Sequence, residues 1–314
     1  MKAVFIYNAP HRLHAAWANS INADFVNDKV RFSFPFLSRF FKSLKTALFM
    51  KKYDIAICEG GSQMLTGYFV KLFSKSSKLC LIVSDPKLFF IKDSRISYFY
   101  NFIIGKYDLL ICSTEFMASF VPERFKDKVV IVPPFYDNVF NSQKCSLSSH
   151  IIMYAGRVCR TKGANLNVMA AEKLRKKFLD TKLYLIGIGG DYNPPNNDMI
   201  VRVQPTNEVF KYFSNGSVYL SLARFEAANI AVLEAMAQGL VPVVSDKVGI
   251  KSVVKEIDSM LVVPSVDGAV DVIRSLWNNK KKLNMLSRKA RLIAKNFTME
   301  NSLSRFRNAV KGVL

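Results

Sequence analysis

Ile151-Ile152-Met153-Tyr154-Ala155-Gly156-Arg157-Val158-Cys159-Arg160-Thr161-Lys162-Gly163 is the stretch whose reading decides the fold. Its first five residues carry no charge, as a strand buried on both faces requires. Gly156 permits a tight exit from that strand, and Gly163 permits close approach at the start of the next helix, Ala164–Phe178. A strand, a glycine turn and a helix are the opening of a parallel β–α–β unit. Unpaired amides at that helix start, together with the side chains of Arg157 and Lys162, would form an anion pocket; the plainer reading is a basic solvated turn.

Outward from that stretch the same grammar continues. Strands are predicted at 183–186, 200–203, 218–222, 241–245 and 260–263, with helices at 207–213, 229–238, 268–277 and 280–295 between or after them. A last helix starts near Thr298, with Leu303, Phe306, Val310 and Val313 as its stripe. Upstream, apolar runs at 4–7, 55–58, 78–83, 109–112 and 129–132 read as a second series of buried strands. Pro133-Pro134 breaks this pattern, and a Ser- and Asn-rich stretch without periodicity follows. The expected organisation is an N-terminal domain over 1–138, a linker over 139–149, a second domain over 150–297, and a C-terminal helix over 298–314 that crosses back to the first domain. Both domains are α/β with parallel sheets, and ligands of such sheets bind outside the carboxyl ends of the strands. Two such ends facing each other make a cleft.

The chain has 314 residues, half of them hydrophobic, which excludes a disordered class. No uninterrupted apolar run reaches the roughly 18 residues of a spanning helix, and Met1–Pro10 reads as a core strand, not a leader. The expected location is cytoplasmic. The five cysteines form no CxxC pair, so neither a zinc site nor a disulfide framework is expected. The net charge is +21, of which +9 falls up to residue 145 and +12 beyond it. A basic excess spread over both halves favours phosphates, anionic lipid or nucleic acid as partners.

The second chemical site is Arg224-Phe225-Glu226-Ala227-Ala228-Asn229-Ile230-Ala231-Val232-Leu233-Glu234, continuing to Gly239. Glu226 lies in the loop after a strand, and Glu234 lies eight residues later inside a helix. Carboxylates accept hydrogen bonds from vicinal hydroxyls, which suits ribose or hexose. Two plainer readings stand beside this one: Glu226 as a helix-cap acid, and Glu234 as the partner of a nearby Lys or Arg.

Taken together, Gly156-Arg157…Lys162-Gly163, Glu226…Glu234 and Ala235-Met236-Ala237-Gln238-Gly239-Leu240-Val241-Pro242-Val243-Val244 resemble the GT-B glycosyltransferases, specifically retaining family 4, the glycosyl transferases group 1. The resemblance is specific over roughly 130–263. It implies two Rossmann-like domains facing a cleft and a retaining, metal-independent transfer of a hexosyl group from a nucleotide-diphosphate sugar to a glycan or lipid-linked acceptor. It needs no cofactor, the donor being a substrate. Arg157 and Lys162, with Gly156, would hold the diphosphate. Glu226 would grip the transferred sugar, and Glu234 the ribose. Val203 would face the base, while Ala228, Asn229 and Ile230 would present backbone to phosphate and sugar.

The sequence departs from the family at three places. Asn229 stands where a glycine is usual. The loop Asn8-Ala9-Pro10-His11-Arg12-Leu13-His14 lacks glycine. Ser84 and Asp85 stand where a histidine is common, so His11, Arg12, Ser84 and Asp85 are the acceptor-side candidates, with Asp85 the polar group nearest the reaction. A binding protein of the same shape without turnover, a nucleotide-sugar epimerase and a nucleic-acid-binding protein are the alternatives.

One stretch fits none of these roles. Arg31-Phe32-Ser33-Phe34-Pro35-Phe36-Leu37-Ser38-Arg39-Phe40-Phe41-Lys42, continuing to Lys51-Lys52, mixes Phe with Arg and Lys. The spacing of Leu37, Phe40, Phe41, Leu44 and Leu48 predicts a helix packing its apolar stripe on the domain. The composition equally suits an interfacial helix peripheral on the cytoplasmic membrane face, with Tyr98, Phe99, Tyr100 and Phe102 as a second aromatic cluster.

Overall fold

A computed structural model describes residues 1–9, 11–29, 35–84, 97–136 and 145–314. The chain divides into two compact units. One comprises Met1–Pro134 with Glu300–Leu314, and the other comprises Phe135–Met299.

The first unit is a six-stranded parallel sheet in the order β2-β1-β3-β4-β5-β6. Its strands are β1 (Ala3–Tyr7), β2 (Asp24–Asn27), β3 (Tyr53–Glu59), β4 (Ser76–Val83), β5 (Leu109–Cys112) and β6 (Val129–Ile131). Five match the apolar runs of the sequence. β2 escapes such a reading because it is a four-residue edge strand, mostly exposed, with Asp24 and Asn27 at its ends. Helices α1 (Arg12–Asn19), α2 (Pro35–Phe49), α3 (Met64–Leu72), α4 (Ser97–Ile104) and α5 (Glu115–Ala118) connect the strands. The last helix of the chain, Met299–Lys311, packs in this unit. Its Phe306 ring stacks on Trp17 at 5.6 Å, the Trp17 indole N–H donates to Ser302 Oγ at 2.9 Å, and Ser302 donates to the Pro133 carbonyl at 2.6 Å.

The packing of α2 turns the expected stripe partly outward: Phe40 and Leu44 are half-buried and Ser43, Ala47 and Met50 buried, whereas Leu37, Phe41 and Leu48 are exposed. Asp28, fully buried, supplies the reason. It takes an ion pair from Arg39 and hydrogen bonds from Thr46 (2.9 Å) and Thr66; the single Thr66 hydroxyl proton goes to Asp28, so the Ser43 hydroxyl, 2.9 Å away, donates to Thr66. Burial lowers Arg39 to about 10, far enough above neutrality that the guanidinium stays charged beside Asp28. A buried carboxylate needs such partners, so α2 turns Arg39, Ser43 and Thr46 toward Asp28.

The second unit repeats the architecture, with strand order β12-β11-β10-β7-β8-β9, all parallel. Its strands are β7 (Ile151–Ala155), β8 (Lys182–Ile186), β9 (Ile200–Val203), β10 (Val218–Ser221), β11 (Val241–Ser245) and β12 (Val262–Val263). Its helices are α6 (Ala164–Arg175), α7 (Val209–Phe213), α8 (Ile230–Gln238), α9 (Lys251–Ile257), α10 (Val266–Asn278) and α11 (Lys280–Ala294), which makes the helix at Met299–Lys311 α12. The strand expected at 260–263 is half a 3₁₀ turn, Ser259–Leu261, because Asp258 caps it by accepting from the Met260 N–H. Buried Asn167 ties α6 to β10, donating to Leu220 O at 3.2 Å and accepting from Leu222 N at 3.1 Å. Together the two sheets and their helices are two Rossmann-like domains, the fold class expected.

Candidate functional site

The loops that leave β7 and β10 carry the predicted chemistry, and the backbone explains why they meet. Gly163 heads α6 at φ 74°, in the left-handed region. A Cβ there would lie 2.0 Å from the Leu222 carbonyl oxygen at the end of β10, so only glycine lets the two loops touch. Gly156 leaves β7 with its N–H on Ile186 O at 2.9 Å, and Gly187 follows β8 so closely that a Cβ would meet Gly156 O at 2.2 Å. The strand ends of β7, β8 and β10 are thereby drawn together at one edge of the sheet.

At that edge Lys162 Nζ and Glu226 Oε2 are 2.6 Å apart. Two residues 64 positions apart in sequence, each singled out for its chemistry, form a pair that is partly open, at 32% and 21% side-chain exposure. Backbone bonds hold Glu226 in place: its N–H donates to Lys247 O and its carbonyl accepts from Gly249 N–H at 2.8 Å. Arg224 braces the facing loop, its N–H on Thr161 O and its guanidinium on Arg160 O and Asn165 Oδ1. Arg157 is exposed and forms no ion pair among the described residues. Beneath the pair lie two buried phenols, Tyr154 and Tyr219. Burial first, then the nearby Glu226 charge, raises Tyr154 above the usual tyrosine range. Tyr219 is also raised well above that range, by burial first, and it senses both Glu226 and Glu234. The two glutamates therefore share one neighbourhood, floored by neutral phenols, with a negative field that suits hydroxyl recognition.

Two expectations change here. The Gly163 and Ala164 N–H groups are not open to an anion, since they close on Arg160 O (3.0 Å) and Cys159 O (3.2 Å). Anion binding at this loop falls to the side chains of Arg157 and Lys162. Glu226 is not a helix cap either: the residue ahead of α8 is Asn229, which makes no side-chain cap bond. Asn229 instead adopts φ 67°, a left-handed conformation that asparagine tolerates better than most residues. Its amide nitrogen donates to Ser221 Oγ at 2.9 Å, which pins the side chain to the end of β10. Ala228 and Ile230 flank it half-buried, and Val203, half-buried, ends β9.

In the first unit the strand ends gather a different set. His11 heads α1, its Nδ1 accepting from the Leu13 N–H. Glu59, at the end of β3, accepts from the His11 backbone N–H at 2.9 Å and lies 2.6 Å from His14 Nδ1. Arg12 is the exposed first residue of α1, and Ser84 follows β4 half-buried. Asp85 lies outside the described residues. Glu59 was not singled out by sequence; a lone acid ending an apolar run before Gly60-Gly61 is the signal that could have found it.

Comparison with known proteins agrees with this architecture. Residues 137–293 match the family model described as Glycosyl transferases group 1. A curated relative, an uncharacterized glycosyltransferase of Haemophilus influenzae, is 25% identical over 230 residues, 67% of this chain. The match spans 64% of that relative's length, less than two thirds of it. Among solved structures, OtsA in its apo form aligns with TM-score 0.76 and 12% identity over 99% of both chains. Anabaena Alr3699/HepE in complex with UDP-glucose aligns with TM-score 0.74 and 10% identity, over 99% of this chain and 100% of that one. TarM aligns with TM-score 0.68 and 16% identity, over 86% of this chain and 58% of that one. At such identities the structural likeness is one of fold, that of the GT-B glycosyltransferases. With the family model running from just after the first sheet through most of α11, the chain belongs to the glycosyl transferases group 1 family.

Proposed function

We propose that the protein is a retaining glycosyltransferase, moving a hexosyl group from a nucleotide-diphosphate sugar to a glycan or lipid-linked acceptor without a metal ion. The observation that carries this reading is the half-open Lys162–Glu226 pair at the strand ends, with Arg157 exposed in the same loop as Lys162. Relatives of the same fold support the donor class: one was solved with UDP-glucose, and a pneumococcal O-GlcNAc transferase with UDP and GlcNAc.

In this mechanism the bond between the anomeric carbon and the β-phosphate oxygen breaks, and its electron pair stays on the phosphate. Lys162 and Arg157 neutralise that growing charge, the work a metal does elsewhere. Glu226 accepts from hydroxyls of the transferred sugar and Glu234 from the ribose, while Val203 faces the base. The acceptor hydroxyl attacks from the face the phosphate leaves and gives its proton to the departing phosphate oxygen, so the configuration is kept. His11, Arg12 and Ser84 of the first unit, with Asp85, are the acceptor-side groups.

A thermal-shift screen of nucleoside diphosphates and their sugars tests the donor class. A ligand held at about a hundred times its dissociation constant stabilises by about 2.7 kcal/mol. Lys162→Ala should weaken nucleoside diphosphate binding by about 10–100-fold while leaving the free nucleoside nearly unaffected. Glu226→Gln should cost about 10²–10³-fold in transfer with nucleotide still bound. Unchanged binding and turnover in both variants would refute the assignment.

A further inference from the structure

Helix α2 leaves an apolar face with no counterpart among the described residues. Its inward side is shared between the Asp28 network and the packing of Phe40 and Ala47, and Leu37, Phe41, Leu48 and Phe49 are exposed, Phe49 at 82%. The patch continues sideways. Phe40 meets Phe69 of α3 edge-on at 5.3 Å, Tyr68 of α3 meets Phe102 of α4 at 5.8 Å, and α4 exposes Tyr98 (83%), Phe99 and Phe102. Successive right-handed crossovers put all three helices on one side of the sheet. Isolated exposed apolar side chains need no explanation, but a contiguous aromatic patch marks an interaction site.

Charge says what kind of partner the patch fits. From Lys29 to Tyr53 there is no acidic residue, and α3 and α4 contain none. The patch is bordered instead by exposed Lys45, Lys51, Lys52 and Lys106, the last lying 5.0 Å over the Phe102 ring. Among the described residues no helix is long and apolar enough to cross a bilayer. An amphipathic helix with Phe and Leu on one side and lysines at its margin lies in the interfacial plane, its rings among acyl chains and its ammonium groups on anionic headgroups. Nucleic acid would leave Leu37, Leu48 and Phe49 in water.

We propose that the α2–α4 face of the first unit docks on an anionic lipid bilayer, with Phe41 and Phe49 entering the interface and Lys45 and Lys52 on the headgroups. The inference concerns this face alone and stands whether or not the transfer reading holds.

Flotation of the full chain with vesicles of phosphatidylcholine alone, or with phosphatidylglycerol added, tests it. Binding should appear with the anionic lipid. It should fall about tenfold or more in Phe41→Ser/Phe49→Ser and again in Lys45→Glu/Lys52→Glu, with the melting temperature kept. The control Lys280→Glu/Lys281→Glu, on the exposed start of α11, should bind like the parent. Four results would overturn the proposal: no binding to anionic vesicles, binding indifferent to the Phe substitutions, loss only in the α11 control, or a dimer in light scattering that the Phe substitutions dissolve. The second would mean that overall charge alone holds the protein to lipid, the third that the start of α11 is the docking surface, and the fourth that a second copy covers the patch.

Discussion

The strand-end edges of the two units make a natural comparison, because each is a parallel sheet of six strands finished with charged side chains. In the second unit the charges are left reachable: Lys162 and Glu226 touch at 2.6 Å yet keep about a third and a fifth of their surfaces. In the first unit the carboxylates are shut in, Glu59 against the His14 imidazole with both below a tenth exposed, and Asp28 at zero. An open pair can trade its partner for a ligand at little cost, since its charges never left water entirely. A closed pair cannot, and removing one member strands the other. One fold thus serves exchange on one sheet and cohesion on the other.

The largest effect expected from this contrast is on stability in the first unit. Asp28→Ala should cost about 3–5 kcal/mol, because the mostly covered Arg39 guanidinium loses its carboxylate partner. Denaturant unfolding measures it, and a loss below about 1 kcal/mol would break the contrast. Next comes Gly163→Ala. A Cβ 2.0 Å from the Leu222 carbonyl, at φ 74°, should destabilise the second unit by about 3 kcal/mol through strain and displaced loops. Gly268→Ala is the control: nothing closer than 3.5 Å meets its added Cβ, and it lies in the first turn of α10. Smallest is Asn229→Gly. Glycine takes the left-handed conformation freely, so stability should move by less than about 1 kcal/mol, the lost bond to Ser221 opposing the relieved strain. Donor affinity is the sharper readout there, since freeing the end of β10 changes how the α8 amides meet a ligand.

Much of this was legible in the chain itself. Buried strands such as Leu109–Cys112 and Ile151–Ala155 declare themselves by unbroken apolar runs, and the glycine turns announce the parallel crossovers. The Lys162–Glu226 meeting could be expected from family spacing, though its distance depends on Gly163. What stayed hidden was set by partners remote in sequence. The spacing of Leu37, Phe41 and Leu48 looks like a core stripe until Asp28 and Thr66 claim the other side of α2. β2 is too short and too polar to register, and Glu59 has no motif around it. Periodicity says that a helix has two faces; a buried carboxylate elsewhere decides which of them turns inward.

The placement of α12 carries a consequence for biogenesis. Trp17 is covered by Phe306 and bonded to Ser302, so a unit whose strands are made before the second sheet is completed by a helix made after it. Until translation passes Phe306, the indole has neither its stacking partner nor its hydroxyl. The nascent N-terminal portion must wait, incompletely sealed, through the synthesis of the whole second sheet.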